Sequence, residues 1–174
     1  SGGAVYKGNN DFVLQTKKAL NELSGMPGAV GKMMTELQKE KAGDHFIMNR
    51  DREFEKEYGF RKRGSSNRPS LGPKNLGSFT LFNPDETRED HPEEASKNSV
   101  ILGHELKHGY NEVAGESGGQ QENGVSCEEV DAVNFENLIR HYLGIPLRKN
   151  YGGKKIEEKN LIKPENYEIQ EIPN

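Results

Sequence analysis

His104-Glu105-Leu106-Lys107-His108 is an H-E-x-x-H pentapeptide, a set of residue types suited to metal-assisted hydrolysis of an amide bond. On a helix, positions four apart share one face, so both imidazoles can take two corners of a tetrahedral zinc site. Glu105 is rotated by one residue. That puts its carboxylate beside the ion rather than on it, where it can take a proton from the attacking water. Zinc supplies the remaining chemistry by acidifying that water and polarising the scissile carbonyl. The preceding Val100-Ile101-Leu102 marks the helix as buried. Leu106 is expected to pack in the core, and Lys107, which points away from the 104/108 face, to snorkel to solvent.

A hydrolytic zinc site needs a third protein ligand and one open position. The next helical stretch opens Cys127-Glu128-Glu129-Val130-Asp131-Ala132-Val133. Glu129 is the preferred ligand, because Ala132 at i+3 lets a second helix approach closely. Glu128 is the alternative, and Cys127 or another non-glutamate ligand stays open. Asp131 and Glu136 are candidate acceptors for the far imidazole N–H groups. His141 lies about 18 Å beyond Glu129 on a straight helix, at about 1.5 Å per residue, too far to share one ion. His45 and His91 have no partner pattern. Tyr110 and Tyr151 are candidate donors to the oxyanion formed when a carbonyl is attacked.

These residues need elements to position them. Asn10 and Asp11 offer caps for a first helix carrying Phe12, Val13, Leu20 and Leu23. A second helix is expected from Ala29 to Lys41, burying Val30, Met33, Met34 and Leu37. His45 to Met48 reads as a short strand, and Ser78 to Phe82 as the clearest one, closed by Asn83-Pro84-Asp85. The polar stretch from Asn49 to Lys74, with Arg61-Lys62-Arg63, reads as a solvated loop. Helices of roughly Ser96–Asn111 and Cys127–Leu143 carry the chemistry, with a flexible loop at Gly115–Gln121 between them. The lysine- and glutamate-rich tail from Gly152 onward is expected to be peripheral.

At 174 residues the chain suits one domain, here residues 1–174 with a catalytic core of about 76–151. Hydrophobic residues are only 31% and there is no Trp, which limits the core. A net charge of −4 without a basic stripe disfavours nucleic-acid binding. The single cysteine, Cys127, excludes an internal disulfide and a four-cysteine zinc knot. No stretch approaches the roughly 18 apolar residues needed to span a bilayer. The N-terminus shows no signal segment, so if the protein is exported, a route not visible in the sequence or a missing upstream region is responsible.

The residues resemble the NleD-like metallopeptidases, bacterial type III effectors and toxin domains of larger proteins. The likeness rests on His104-Glu105-Leu106-x-His108, Glu128-Glu129-x-x-Ala132-Val133, Glu136-Asn137 and Arg140, and Gly144-Ile145-Pro146-Leu147-Arg148-x-x-Tyr151. It covers roughly residues 76 to 151. The strand ending Phe82-Asn83-Pro84 looks like that family's substrate-side edge. The resemblance implies an α+β, zincin-like fold of the gluzincin kind, a small sheet packed on two long active-site helices with additional N-terminal helices. It implies Glu129 as the third ligand to one zinc ion, and a return of Arg148-x-x-Tyr151 to the site, which favours Tyr151 over Tyr110 as oxyanion donor. It also implies a secreted protein delivered into a target cell, where it cuts a specific intracellular protein such as a host signalling protein. A toxin domain would have a cognate immunity protein. Lys107 departs from the family pattern.

The leading expectation is therefore a zinc endopeptidase with His104, His108 and Glu129 on the metal and Glu105 as base. Two others compete: a zinc-stapled binding module without activity, and an H-E-x-x-H hydrolase acting on a small amide or a cell-wall peptide. Glu105 separates the first of these, since a structural site has no use for that carboxylate.

Overall fold

The computed structural model describes residues 3–50, 66–67, 77–84, 97–115, 121–122 and 124–173. Gly3–Lys7 forms strand β1, followed by helices α1 (Asn10–Ser24) and α2 (Gly28–Leu37). Asn9 caps α1 by accepting from the Phe12 N–H at 2.8 Å, one residue before the expected caps Asn10 and Asp11. Phe12, Thr16, Ala19 and Leu23 then follow at helical spacing and are buried. Helix α2 buries Val30, Met33, Met34 and Leu37 as expected, but it ends at Leu37 rather than Lys41. The chain tightens there into a 3-10 turn, Glu40–Ala42, which keeps Ala42 in the core while turning toward strand β2.

Strand β2 (Asp44–Asn49) runs parallel to β1, with Ala4 opposite His45 and Tyr6 opposite Ile47. A parallel pair needs a crossover, and α1 and α2 supply it. Strand β4 (Ser78–Phe82) is parallel to β2 and fully buried. Strand β3 (Ser66–Asn67) pairs antiparallel with β4, giving the order β1-β2-β4-β3. β3 thus lies along the outer edge of β4 opposite Thr80 and Leu81, so that part of the edge is already paired. β1 had no sequence signal beyond five short residues, and pairing with β2 is what makes it a strand.

Helix α3 (Asn98–Ala114) packs across the sheet on β4 and against α1, and is buried on nearly every side. A hairpin of β5 (Gln121–Glu122) and β6 (Val125–Ser126) leads into helix α4 (Cys127–Tyr142), which packs along α3. Gly103 permits that approach, since a Cβ there would overlap the Ile139 side chain. A second hairpin, β7 (Asn150–Tyr151) and β8 (Lys154–Lys155), follows. The chain is thus α+β, with a small, mainly parallel sheet. The tail departs from its expected peripheral place: Tyr167, Ile169 and Ile172 are buried in the main core. Among the described residues no helix is long and apolar enough to cross a membrane. Most of the expected loops, with Arg61-Lys62-Arg63 and His91, lie outside the described residues.

Candidate metal centre

His104 and His108 sit one turn apart on α3, and Glu129 faces them from the first turn of α4. The hydroxyl of Ser126 caps α4 by accepting from the Glu129 N–H at 3.3 Å. Ser126 and Glu129 have the spacing of a capping box, in which the glutamate would fold back onto its own helix end. Here the carboxylate turns to the histidines instead, and the helix N-terminus favours its negative charge.

Three atoms converge. The Glu129 Oε2 lies 3.2 Å from His104 Nε2 and 3.2 Å from His108 Nε2, and the two nitrogens are 3.3 Å apart. The far nitrogens also face carboxylates: His104 Nδ1 is 3.0 Å from Glu136 Oε2, and His108 Nδ1 is 3.2 Å from Glu128 Oε1. An ionised carboxylate can only accept, so each Nδ1 carries its proton, and each neutral ring presents a lone pair at Nε2. Two lone pairs and a carboxylate oxygen then converge on one point, and the Tyr151 hydroxyl donates to the same carboxylate. His104, His108 and Glu129 could hold a metal ion at that point.

Without an ion, protons are drawn in. Burial opposes charge on His104, but hydrogen bonds to Glu129 and Glu136 outweigh it and raise its pKa to about 9. His108 moves upward for a similar reason, with burial again opposed by Glu129. Burial disfavours the charged form of Glu129, yet the two histidines hold its carboxyl well below the usual carboxylate range.

Behind the cluster lies a buried ionic network. Glu136 is 2% exposed and accepts from Arg140 Nε at 2.7 Å and Arg148 Nη1 at 2.8 Å, besides its contact with His104. Burial opposes its ionisation, but the His104 hydrogen bond and the two guanidinium charges lower its pKa to about 2. Asn137 pairs with the Arg148 backbone, donating to its carbonyl at 2.9 Å and accepting from its N–H at 2.7 Å. These bonds fold the segment after α4 back over the helix. They lay the Tyr151 ring parallel to that of His104, with the Arg148 guanidinium 5.1 Å from the tyrosine centroid.

Burial, the Glu129 charge and the Glu105 charge together raise the Tyr151 pKa well above its ordinary value, so its hydroxyl remains a donor. Glu105 is itself 6% exposed, and its charge acts on both imidazoles and on Tyr151. All five expected site residues are therefore neighbours. Glu128 is near the cluster too, but its carboxylate orients His108 and does not join the converging atoms.

Other expectations are corrected. Lys107 does not snorkel: it is 1% exposed, 3.1 Å from Asp131 Oδ2, and it donates to Asn111 Oδ1. Asp131 is consequently engaged by Lys107, Asn111 and Tyr167 and contacts neither imidazole. Tyr110 is fully buried and donates to the Gln170 carbonyl, away from the site. His141 is exposed. His45 is buried and paired with Ser78 Oγ at 2.8 Å.

The chain is α+β, and between two packed helices two histidines and a glutamate form a cluster that could hold a metal ion. The family model Peptidase_M91, described as effector protein, matches residues 1–151, and the chain belongs to that family of peptidases. No curated protein and no solved structure matches the chain.

Proposed function

We propose that this protein is a zinc-dependent endopeptidase of the effector type, holding one zinc ion with His104, His108 and Glu129. The observation that carries the reading is the triangle of acceptor atoms. Nitrogen and oxygen ligands about 2.0–2.1 Å from zinc at tetrahedral angles lie about 3.3–3.4 Å apart. The edges here are 3.2, 3.2 and 3.3 Å. Two imidazoles and one carboxylate are also a donor set that suits zinc and leaves a fourth position open. The small sheet under α3 and the crossing of α4 support a zincin-like, gluzincin arrangement. The buried Tyr167, Ile169 and Ile172 support treating the whole chain, tail included, as one unit.

When bound, zinc supplies Lewis acidity to water and to the scissile carbonyl. Glu105 accepts the proton of the attacking water at its carboxylate and returns it to the amine as the peptide C–N bond breaks. Tyr151 donates its hydroxyl hydrogen bond to the oxygen that gains charge. Glu136 and Glu128 keep each Nδ1 protonated, so that each Nε2 stays directed at the ion.

The effector family supports a protein substrate and delivery into another cell by a dedicated export system. A host signalling protein is the substrate class that fits this reading, and an immunity protein is a partner only where such a domain is part of a toxin. The test pairs zinc analysis with a Glu105→Gln variant, each protein being incubated with a cell lysate and new protein termini sequenced. Zinc retained by both, with cleavage only by the wild type, is the expected result. Zinc retained with no cleavage by either would make the ion a staple of a binding module. Release confined to small amides or cell-wall peptides would point to another hydrolase.

A further inference from the structure

A cavity of about 380 Å³ opens between the β1–β2 edge of the sheet, α1, α2 and the back of α3. Its floor is Met34, Leu37, His45, Ile47 and Leu106, all buried. Asn21, Ser24 and Gln38 are exposed at its rim. Among the described residues that line it there is no carboxylate, ammonium or guanidinium. A charged guest would lose its hydration there without gaining a counter-charge.

His45 gives the cavity a polar feature. The ring is 3% exposed, and its Nδ1 is occupied by Ser78. Its Nε2 makes no hydrogen bond of good geometry among the described residues, although the Leu37 carbonyl lies near the ring. Gly77 closes on the ring next to Ser78, so that a Cβ there would come within 2.7 Å of His45 Cε1 and overlap the Ala42 carbonyl. Burial pushes the His45 pKa down, the Leu37 carbonyl and the Asp44 charge offsetting only part of this. The ring is therefore neutral, and a buried nitrogen without a well-formed hydrogen bond is costly enough that natural proteins seldom leave one.

We propose that this cavity is a second binding site, which takes a neutral aromatic or alicyclic molecule carrying a hydroxyl that bonds His45 Nε2. A hydroxyl both donates and accepts, so it satisfies the ring in either tautomer. A cavity of about 150 Å³ holds benzene, so this volume suits roughly two fused rings. The apolar floor receives the rings, and Tyr6, Asn21 and Gln38 also line the cavity. Leu106 lies midway between His104 and His108 on the opposite face of the helix, so a bound molecule touches α3 behind the imidazoles.

The experiment titrates the full chain, loaded with zinc, with 2-naphthol, naphthalene and 2-naphthoate by calorimetry. Saturable 1:1 binding of 2-naphthol is expected, with naphthalene and 2-naphthoate each at least tenfold weaker. His45→Phe should bring 2-naphthol to the level of naphthalene. Ser24→Trp, placed at the exposed rim where folding tolerates it, should block all binding. Absence of saturable 2-naphthol binding would overturn the proposal, as would equal binding of 2-naphthoate or affinity unchanged in Ser24→Trp. The outcome is independent of proteolysis, because occupancy rather than cleavage is measured.

Discussion

The rings of Tyr151 and His104 lie parallel, their planes 5° apart and their centroids separated by 6.1 Å. The stack ties the tyrosine to the helix that carries His104, and the Arg148 guanidinium lies 5.1 Å from its ring centroid. The hydroxyl is thereby held at the cluster in its protonated form.

Tyr151→Phe keeps the stacked ring and removes only the hydroxyl. The expected result is a fall in kcat of about 10²–10³, the loss typical of one oxyanion donor, with KM and bound zinc little changed. Steady-state kinetics on a cleaved peptide, with metal analysis alongside, reads this directly. An unchanged kcat would remove Tyr151 from the chemistry and leave it a packing residue.

Glu129 and Glu128 are adjacent but do different work in this geometry. Glu129 touches both Nε2 atoms, whereas Glu128 touches only His108 Nδ1. Glu129→Ala should lose zinc at micromolar free metal. Glu128→Ala should keep it, with affinity lower by about 10–100-fold, as for loss of an orienting carboxylate. Zinc competition with a chromophoric chelator separates the two. Retention by Glu129→Ala together with loss by Glu128→Ala would reverse the assignment.

Much of this site was legible in the sequence because helices impose fixed periods. H-E-x-x-H placed His104, Glu105 and His108 relative to one another without any tertiary information, and Glu136–Arg140 is an i,i+4 pair that spacing alone reveals. The division of labour between Glu128 and Glu129 was harder, since adjacent positions differ only by about 100° of rotation on a helix whose angle to α3 no local pattern fixes. Lys107 shows a different limit. An amphipathic side chain normally reaches water, and only the arrival of Asp131 from α4 and of the tail carrying Tyr167 makes burial tolerable. β1 and the tail failed for a related reason: each has little periodicity, and each is placed by long-range partners, β2 for the one and Tyr110, Asp131 and Glu36 for the other.

Glu136 neutralises two buried arginines while orienting His104. Glu136→Ala leaves both guanidinium groups without their partner, a situation that typically costs about 3–5 kcal/mol. For a chain of this size that corresponds to a melting temperature lower by roughly 10 °C. Glu136→Gln, which keeps the volume and one acceptor oxygen, should lose less. Calorimetry on both variants checks the order, and an Ala variant as stable as wild type would mean that water or rearrangement satisfies Arg140 and Arg148.

The same carboxylates and imidazoles set how stability depends on pH. For the metal-free protein, the His104 pKa rises from 6.5 to about 9 on folding. Its contribution is therefore fully present below pH 6.5 and is lost as pH rises through about 9. The Glu136 carboxyl moves the other way, from 4.5 to about 2, so its contribution is present above pH 4.5 and is lost as pH falls toward about 2. Glu129 shifts in the same direction as Glu136. Metal-free protein should thus be most stable between about pH 4.5 and 6.5 and decline on either side. Zinc competes with the protons on His104 and His108, so its binding releases them and strengthens as they become easier to remove. The increase in melting temperature on adding zinc should consequently be small below pH 6.5 and grow steadily toward pH 9. Scanning calorimetry with chelator or with zinc, from pH 4 to 9, gives both curves. A zinc-induced increase that is constant across that range would show that the metal displaces no proton from these histidines, and would place it elsewhere on the chain.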